Sequence, residues 1–159
     1  MADMFLWLKD IEGESLDADH ENEIEIMQWG WKMNNPASLK LSQQNQSSKV
    51  VVDNIEIQKT YDKASVTLVK YLTTGQHISD AIISCRKNAG DWKVEYLRIQ
   101  LKDVMIKAID WKGGDRDVSP ETVTLNFAEF DITYSLQESD GVGTDMVNYG
   151  FDIMTQKPK

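Results

Sequence analysis

The side chains with the widest chemical reach in this sequence are two histidines, one cysteine and a dense set of carboxylates. His20 lies in residues 13–22 (GESLDADHEN), beside Asp17, Asp19 and Glu21. Carboxylates with an imidazole bind divalent cations. No HxH, HExxH or Cys–His spacing accompanies them, so this stretch reads as a solvated acidic loop. Ser15 and Cys85 offer a hydroxyl and a thiol, but neither sits in a GxSxG or comparable turn that would expose and activate a nucleophile. Cys85 follows Ile82, Ile83 and Ser84 in a strand-like run and reads as a structural thiol. The run Asp140-Gly141-Val142-Gly143-Thr144-Asp145 departs from both the calcium-loop and the P-loop patterns and reads as a turn. No constellation names an enzyme, and no catalytic residue, metal set or cofactor is expected.

Those residues must be positioned by a chain of 159 residues, 41% hydrophobic, which suits a single domain over 1–159. Lys and Arg number 17 against 26 Asp and Glu, a formal net charge of −9. That charge argues against nucleic acid and against an anionic membrane as partners. No run approaches the roughly 20 apolar residues that cross a bilayer, so no membrane insertion is expected. Residues 4–8 (MFLWL) are too short an apolar run for a signal peptide and have no basic residue ahead of them. Cytoplasmic synthesis is expected, with any export following a route that reads no cleavable signal. Residues 1–25 carry nine acids against Lys9 alone, a solvated face or one that meets basic patches on a neighbouring copy.

The dominant period is two. Met4, Leu6 and Leu8 alternate with Phe5, Trp7 and Lys9. Residues 23–33 (EIEIMQWGWKM) read as one long strand, but Ile24 and Ile26 share one parity while Met27, Trp29, Trp31 and Met33 take the other. Such a switch predicts a bulge or a strand passing between two sheets. Residues 49–61 repeat it, with Val50 and Val52 followed by Ile55, Ile57, Lys59 and Tyr61, and Phe127 and Phe130 mark a third switch. A hairpin is predicted over 77–87 and 92–101 with its turn at 88–91, and further strands over 104–111, 122–136 and 149–155. One helix is predicted, about residues 62–74, with Asp62 as its cap, Gly75 past its end, and Leu68, Val69, Tyr71 and Leu72 as its buried stripe. The expected fold is mostly β: a barrel or two-sheet sandwich of about eight strands with that one helix.

Residues 34–48 (NNPASLKLSQQNQSS) form a long polar connection between strong strands. It reads as a protruding loop, either idle or a docking arm in which Leu39 and Leu41 alternate with Lys40 and Ser42. Asn34, Pro36, Leu39, Lys40, Leu41 and Gln43 are its candidate contact residues. Trp29 and Trp31 share one strand face and read first as core.

Ordered along the chain are Asp3-Met4-Phe5-Leu6, Ile11-Glu12-Gly13-Glu14-Ser15, Asp19-His20, Glu23-Ile24-Glu25-Ile26 and Trp29-Gly30-Trp31. After them come Val50 to Ile57, Lys59 with Tyr61-Asp62-Lys63-Ala64-Ser65, Gly75-Gln76-His77, Val94-Glu95-Tyr96-Leu97, Leu101-Lys102-Asp103-Val104, Glu121-Thr122-Val123-Thr124-Leu125-Asn126-Phe127 and Tyr149-Gly150-Phe151-Asp152-Ile153. This series resembles the Hcp family, the tube-forming proteins of the bacterial type VI secretion system. Two positions depart from it: Gly30 stands where some members have a small polar residue, and Phe151 where Trp is common.

The resemblance implies a β-barrel of two sheets flanked by a helix, assembled as a homohexameric ring. Rings stack into a tube within a contractile sheath, tipped by a spike, and effector proteins are carried in the lumen. It implies Gln28, Trp29, Gly30 and Trp31 as candidates for the lumen or a subunit interface, and residues 34–48 as the contact between rings. The chain's end at Lys159 leads to the expectation of no fused toxin domain. A compact domain of this size is roughly 40 Å across, and six such discs leave a hole of at most about 35–40 Å. A small β-barrel that binds or hydrolyses a ligand, and a phage-tail-like tube component, are the alternatives. The ligand-binding alternative needs a pocket where Leu97, Ile99, Leu125 and Ile132 would otherwise fill the interior.

Overall fold

The structure, a computed structural model, describes residues 3–39, 49–115, 120–137 and 144–159. In chain order it comprises β1 (Met4–Leu8), β2 (Ile24–Glu25), β3 (Gln28–Gly30), β4 (Met33–Asn34), β5 (Val51–Val52), β6 (Ile55–Thr60), α1 (Ala64–Thr74), β7 (His77–Ala89), β8 (Trp92–Trp111), β9 (Pro120–Gln137), β10 (Thr144–Asp152) and β11 (Lys157–Pro158). The fold is mostly β with one helix, as the periodicity predicts.

Antiparallel pairing closes the strands on themselves. β8 pairs with β7, β7 with β1, β1 with β2, β3 with β6, β6 with β9, and β9 with β8. The closure lies between β2 and β3, where the parity switch was read. Ile26 N donates to Met4 O on the β1 side, and Met27 N donates to Gln58 O on the β6 side. One segment thus hands its hydrogen bonds from one end of the sheet to the other. The single long strand expected over 23–33 is therefore three short ones, because consecutive amides serve different neighbours. The same holds for 49–61, where β5 pairs with β4 and β6 with the barrel.

The opposite correction applies to 92–111, which is one strand of 20 residues. Asp103, at φ +53°, bends it without breaking it, so β8 can follow the barrel's curvature while pairing on both sides. The hairpin turn falls at Gly90-Asp91, between the paired Ala89 and Trp92, with Gly90 at φ +66°. β10 begins at Thr144, earlier than the alternation from Tyr149 suggests.

β9 divides its partners. Its first half, from Pro120 to Leu125, pairs with β6 and closes the barrel, whereas its second half, from Glu129 to Gln137, pairs with β10. The switch at Phe127 and Phe130, both buried, marks the division. Beyond Phe127, β9 stays paired with β8 on one edge and takes β10 on the other, with β11 outside β10, so the wing they form continues the same sheet.

The core holds Leu6, Leu8, Ile24, Ile55, Ile57, Ile83, Ile99, Leu101, Val123 and Leu125, with Leu97 and Ile132 packed against it. Side chains fill the space that a small ligand would need. α1 lies over β8 with Leu68 and Tyr71 buried and Val69 and Leu72 half-buried. Lys63 is already helical, at φ −65° and ψ −18°. The cap is therefore Asp62: its Oδ1 accepts from Ala64 N, and its own amide donates to Ser65 Oγ, which together form a reciprocal box. Gly75 ends the helix at φ +69°, a conformation costly for residues with a Cβ.

Lys59, in phase with Ile55 and Ile57, is buried with them. Its ammonium lies 2.6 Å from Glu121 Oε2, 2.9 Å from Asp62 Oδ1 and 3.1 Å from Ser65 Oγ. Glu121 is equally buried and accepts from Ser65 Oγ at 2.8 Å and from Trp111 Nε1 at 2.8 Å. Replacing Lys59 with Met leaves that carboxylate without its counter-charge and should cost about 3–5 kcal/mol in urea unfolding. The double variant Lys59→Met, Glu121→Leu should cost less than either single change; a double cost equal to the sum would show that the pair is not coupled.

Candidate functional site

β3 is held flat against β6 in the register Gln28↔Gln58, Trp29↔Ile57 and Gly30↔Glu56. β6 continues the rows into β9, and β9 into β8. Cross-strand partners share a face, so Gln28, Gln58, Thr122 and Asp110 form one outward row, and Gly30, Glu56, Thr124 and Ala108 the next. This outer face of the barrel is polar. The missing side chain at Gly30 opens onto it, since a Cβ there would meet no atom within 4 Å. A shallow cleft of about 460 Å³ borders it, lined by Gly30, Lys32, Asp53, Asn54, Glu56 and Thr124 among others.

Trp29 and Trp31 point the other way, against the core. Trp31 sits edge-on to both Phe127 and Phe130, its ring centroid 5.7 Å from the first and 5.0 Å from the second. Its Nε1 donates to Asp53 O at 3.0 Å. The four candidates 28–31 therefore divide: Gln28 and Gly30 face outward, while Trp29 and Trp31 anchor the strand. Phe151 packs on Phe130 with ring centroids 5.8 Å apart.

The arm springs from this anchor. Met33↔Val52 and Asn34↔Val51 make a two-rung ladder at its base, and Asp53 N donates to Lys32 O. Asn35 Oδ1 accepts from Ala37 N, and Pro36 and Leu39 are exposed, Leu39 to 96%. Lys40, Leu41 and Gln43 lie outside the described residues, as do residues 140–143 of the expected turn, while Thr144 and Asp145 belong to β10.

The candidate chemistry of the acidic loop resolves into structure. Phe5 is buried beneath the loop, stacked on the His20 ring at 4.2 Å and 8°, with the Arg86 guanidinium 4.7 Å from its centroid. Arg86 donates to both Asp17 oxygens, at 3.1 and 2.8 Å, and His20 Nδ1 lies 2.8 Å from Glu23. Ser15 is fully buried, its Oγ accepting from Asp17 N. Gly13 lets the loop return against β2, since a Cβ there would lie 2.5 Å from Glu23 O. The loop is solvated along Glu14, Leu16, Ala18, Asp19, Glu21 and Asn22, as composition suggests, but it is also a packed cap through buried Ser15 and a histidine only 12% exposed. Phe5's place in a hydrophobic run was the available signal, because a strand with both faces apolar must be covered on both. Cys85 is buried, which pushes its thiol pKa up and holds it as an unreactive thiol.

The chain also stands beside known proteins. The family described as Type VI secretion system effector, Hcp, matches residues 5–134. The chain belongs to the Hcp family, the tube proteins of the type VI secretion system. Protein hcp1 of Pseudomonas aeruginosa is 35% identical over 154 residues, covering 96% of this chain and 95% of that protein. The crystal structure of Hcp1 from Salmonella typhimurium is 31% identical over the full length of both chains, with a TM-score of 0.82. A type VI secretion system effector from Yersinia pestis is 30% identical, covering 95% of this chain and all of that one, with a TM-score of 0.77. Hcp proteins generally form hexameric tubes, which directs attention to the outer surfaces of this Hcp chain.

The hydrogen bonds from Arg86 hold the Asp17 carboxyl below its ordinary pKa of 3.8. The clamp therefore adds stability above the unfolded-state pKa, and that stability is lost as pH falls through the lower folded-state value. Chemical denaturation of this Hcp chain from about pH 5 to about pH 2 should show falling stability, with a shallower slope for Asp17→Asn. An unchanged slope in the variant would remove the clamp from the acid response.

Proposed function

We propose that this chain is assembled in the cytoplasm as a homohexameric ring and that its rings stack into an inner tube expelled by a contractile sheath behind a spike. The chain leaves the cell by that route, without a cleavable signal peptide, and effector proteins travel in the lumen. No chemical step is assigned to it. The observation that carries this reading is the closed barrel whose interior is occupied by its own side chains, which leaves the outer faces as the working surfaces. The polar outward rows of Gln28, Gly30, Glu56 and Thr124 suit a wall past which a folded protein must slide without sticking. Native mass spectrometry of the purified protein should give rings of six subunits. A strictly monomeric protein at about micromolar concentration would overturn the reading.

In the same reading, residues 34–48 dock on an adjacent ring through Leu39 and Leu41, with Asn34, Pro36, Lys40 and Gln43 around them. Burying two leucines contributes about 3–6 kcal/mol gross, reduced by the entropy of ordering the loop. Each contact is therefore weak, and six together make stacking multivalent. The change of Leu39 and Leu41 to Asp should leave rings of six intact while reducing tube length in electron micrographs and the amount secreted. Normal stacking and secretion, or loss of the ring itself, would refute the assignment.

A further inference from the structure

The return strand of the arm is tied to the turn that follows β10. β4 and β5 make only two rungs and stand apart from the main sheet. Met33 is 45% and Val51 43% exposed, so little buried area holds this ladder, and a two-stranded ribbon is marginal by itself. Just ahead of β5, the Val50 amide donates to Gln156 Oε1 at 3.0 Å, across 106 residues of chain. The other half of the same carboxamide, Nε2, donates to Ile153 O at 3.0 Å. A carboxamide accepts at its oxygen and donates at its nitrogen, so a single orientation satisfies both partners. Ile153 N in turn donates to Ala128 O at 2.9 Å, and its side chain packs against the core. A continuous path of hydrogen bonds thus runs from the base of the arm to β9.

The backbone at Gln156 marks the same residue. Its φ is +58°, a left-handed conformation that is costly for a long side chain and that Gly or Asn adopts readily. The turn does not require glutamine. Asp152 Oδ1 accepts from Met154 N and Thr155 N, and Lys159 N donates to Gly150 O. None of these bonds uses the Gln156 side chain, so what its carboxamide holds accounts for glutamine at a strained position. Resting on the ring-stacking reading above, we propose that Gln156 is the positioning residue of the arm: its carboxamide clasps the return strand at Val50 and fixes where residues 34–48 meet the body. With Asn34 placed by the β4–β5 ladder and Val50 by Gln156, both ends of that segment are set before any neighbour is met. A segment whose ends are already placed loses less freedom on docking, so the clasp strengthens each weak contact by preorganisation.

The test compares wild type with Gln156→Gly and Gln156→Met. Glycine takes the left-handed conformation without penalty and keeps the turn, whereas methionine keeps the length of the side chain; both lack the carboxamide. Hydrogen exchange, read by mass spectrometry on peptides covering residues 49–53, should be about tenfold faster in both variants, with no change in β1 or β7 and no fall in the urea midpoint of Gln156→Gly. Rings of six should form as in wild type, while tubes in electron micrographs should be shorter at equal protein concentration. Exchange over 49–53 equal to that of wild type would overturn the clasp. Faster exchange in Gln156→Met alone would show that the residue acts through the turn and not through its carboxamide, and would overturn it as well. Faster exchange in both variants with tubes of wild-type length would overturn the positioning role while leaving the stacking reading standing. Wild-type rings that never stack would overturn the stacking reading, and this role with it.

Discussion

The buried Lys59–Glu121 pair is the constraint on which the barrel's geometry turns. Removing both charges from water costs several kcal/mol each, and that cost is offset only if every hydrogen-bonding site of the pair is met. Meeting them requires four elements at once: Lys59 from β6, Glu121 from the start of β9, Asp62 and Ser65 from the head of α1, and Trp111 from the end of β8. A slip of one residue in the β6–β9 register would turn Lys59 and Glu121 to opposite faces, leaving each unpaired. The pair therefore penalises misregistered closures far more than an apolar pair would. It also sets where the helix begins, because Ser65 serves both the helix cap and the ion pair.

Closure by the first half of β9 releases its second half. Each edge of β9 can pair with only one strand at a time. Once β6 holds the edge at residues 120–125, the chain beyond Phe127 is free to take β10 there instead. The switch between Phe127 and Phe130 keeps an aromatic ring on the core side through this exchange, and Trp31 packs edge-on against both. The molecule consequently has two surfaces of different character. The barrel's outer face around Gly30 is polar, and the wing carries apolar side chains that the described residues leave exposed, among them Leu136, Val147 and Tyr149. One strand with two partners produces that division.

The N-terminal cap follows the same economy of packing. β1 is apolar on both faces, so Phe5 cannot lie in the core with Leu6 and must be covered from outside. The loop 13–22 provides that cover with His20 stacked on one side and Arg86, held by Asp17, nearby. Acidic residues that composition assigns to solvent are in part structural, because the cation they hold rests on an aromatic ring.

Period-two alternation, the Asp62 and Gly75 helix signals and the ordered Hcp-like series were enough to determine from sequence alone a mostly-β barrel with one helix and its family. These are local properties: strand parity, capping chemistry and turn residues act within a few residues of each other. The three parity switches were legible too, yet not their meaning, since a change of parity says that a strand changes surroundings and not which neighbour it changes to. That was settled only in three dimensions, where Ile26 and Met27 donate to opposite ends of the sheet and β9 divides between β6 and β10. The burial of Lys59 was likewise written in its phase with Ile55 and Ile57. Its counter-charge lies 62 residues away, and no local pattern selects one carboxylate among so many; only the folded register brings Glu121 opposite.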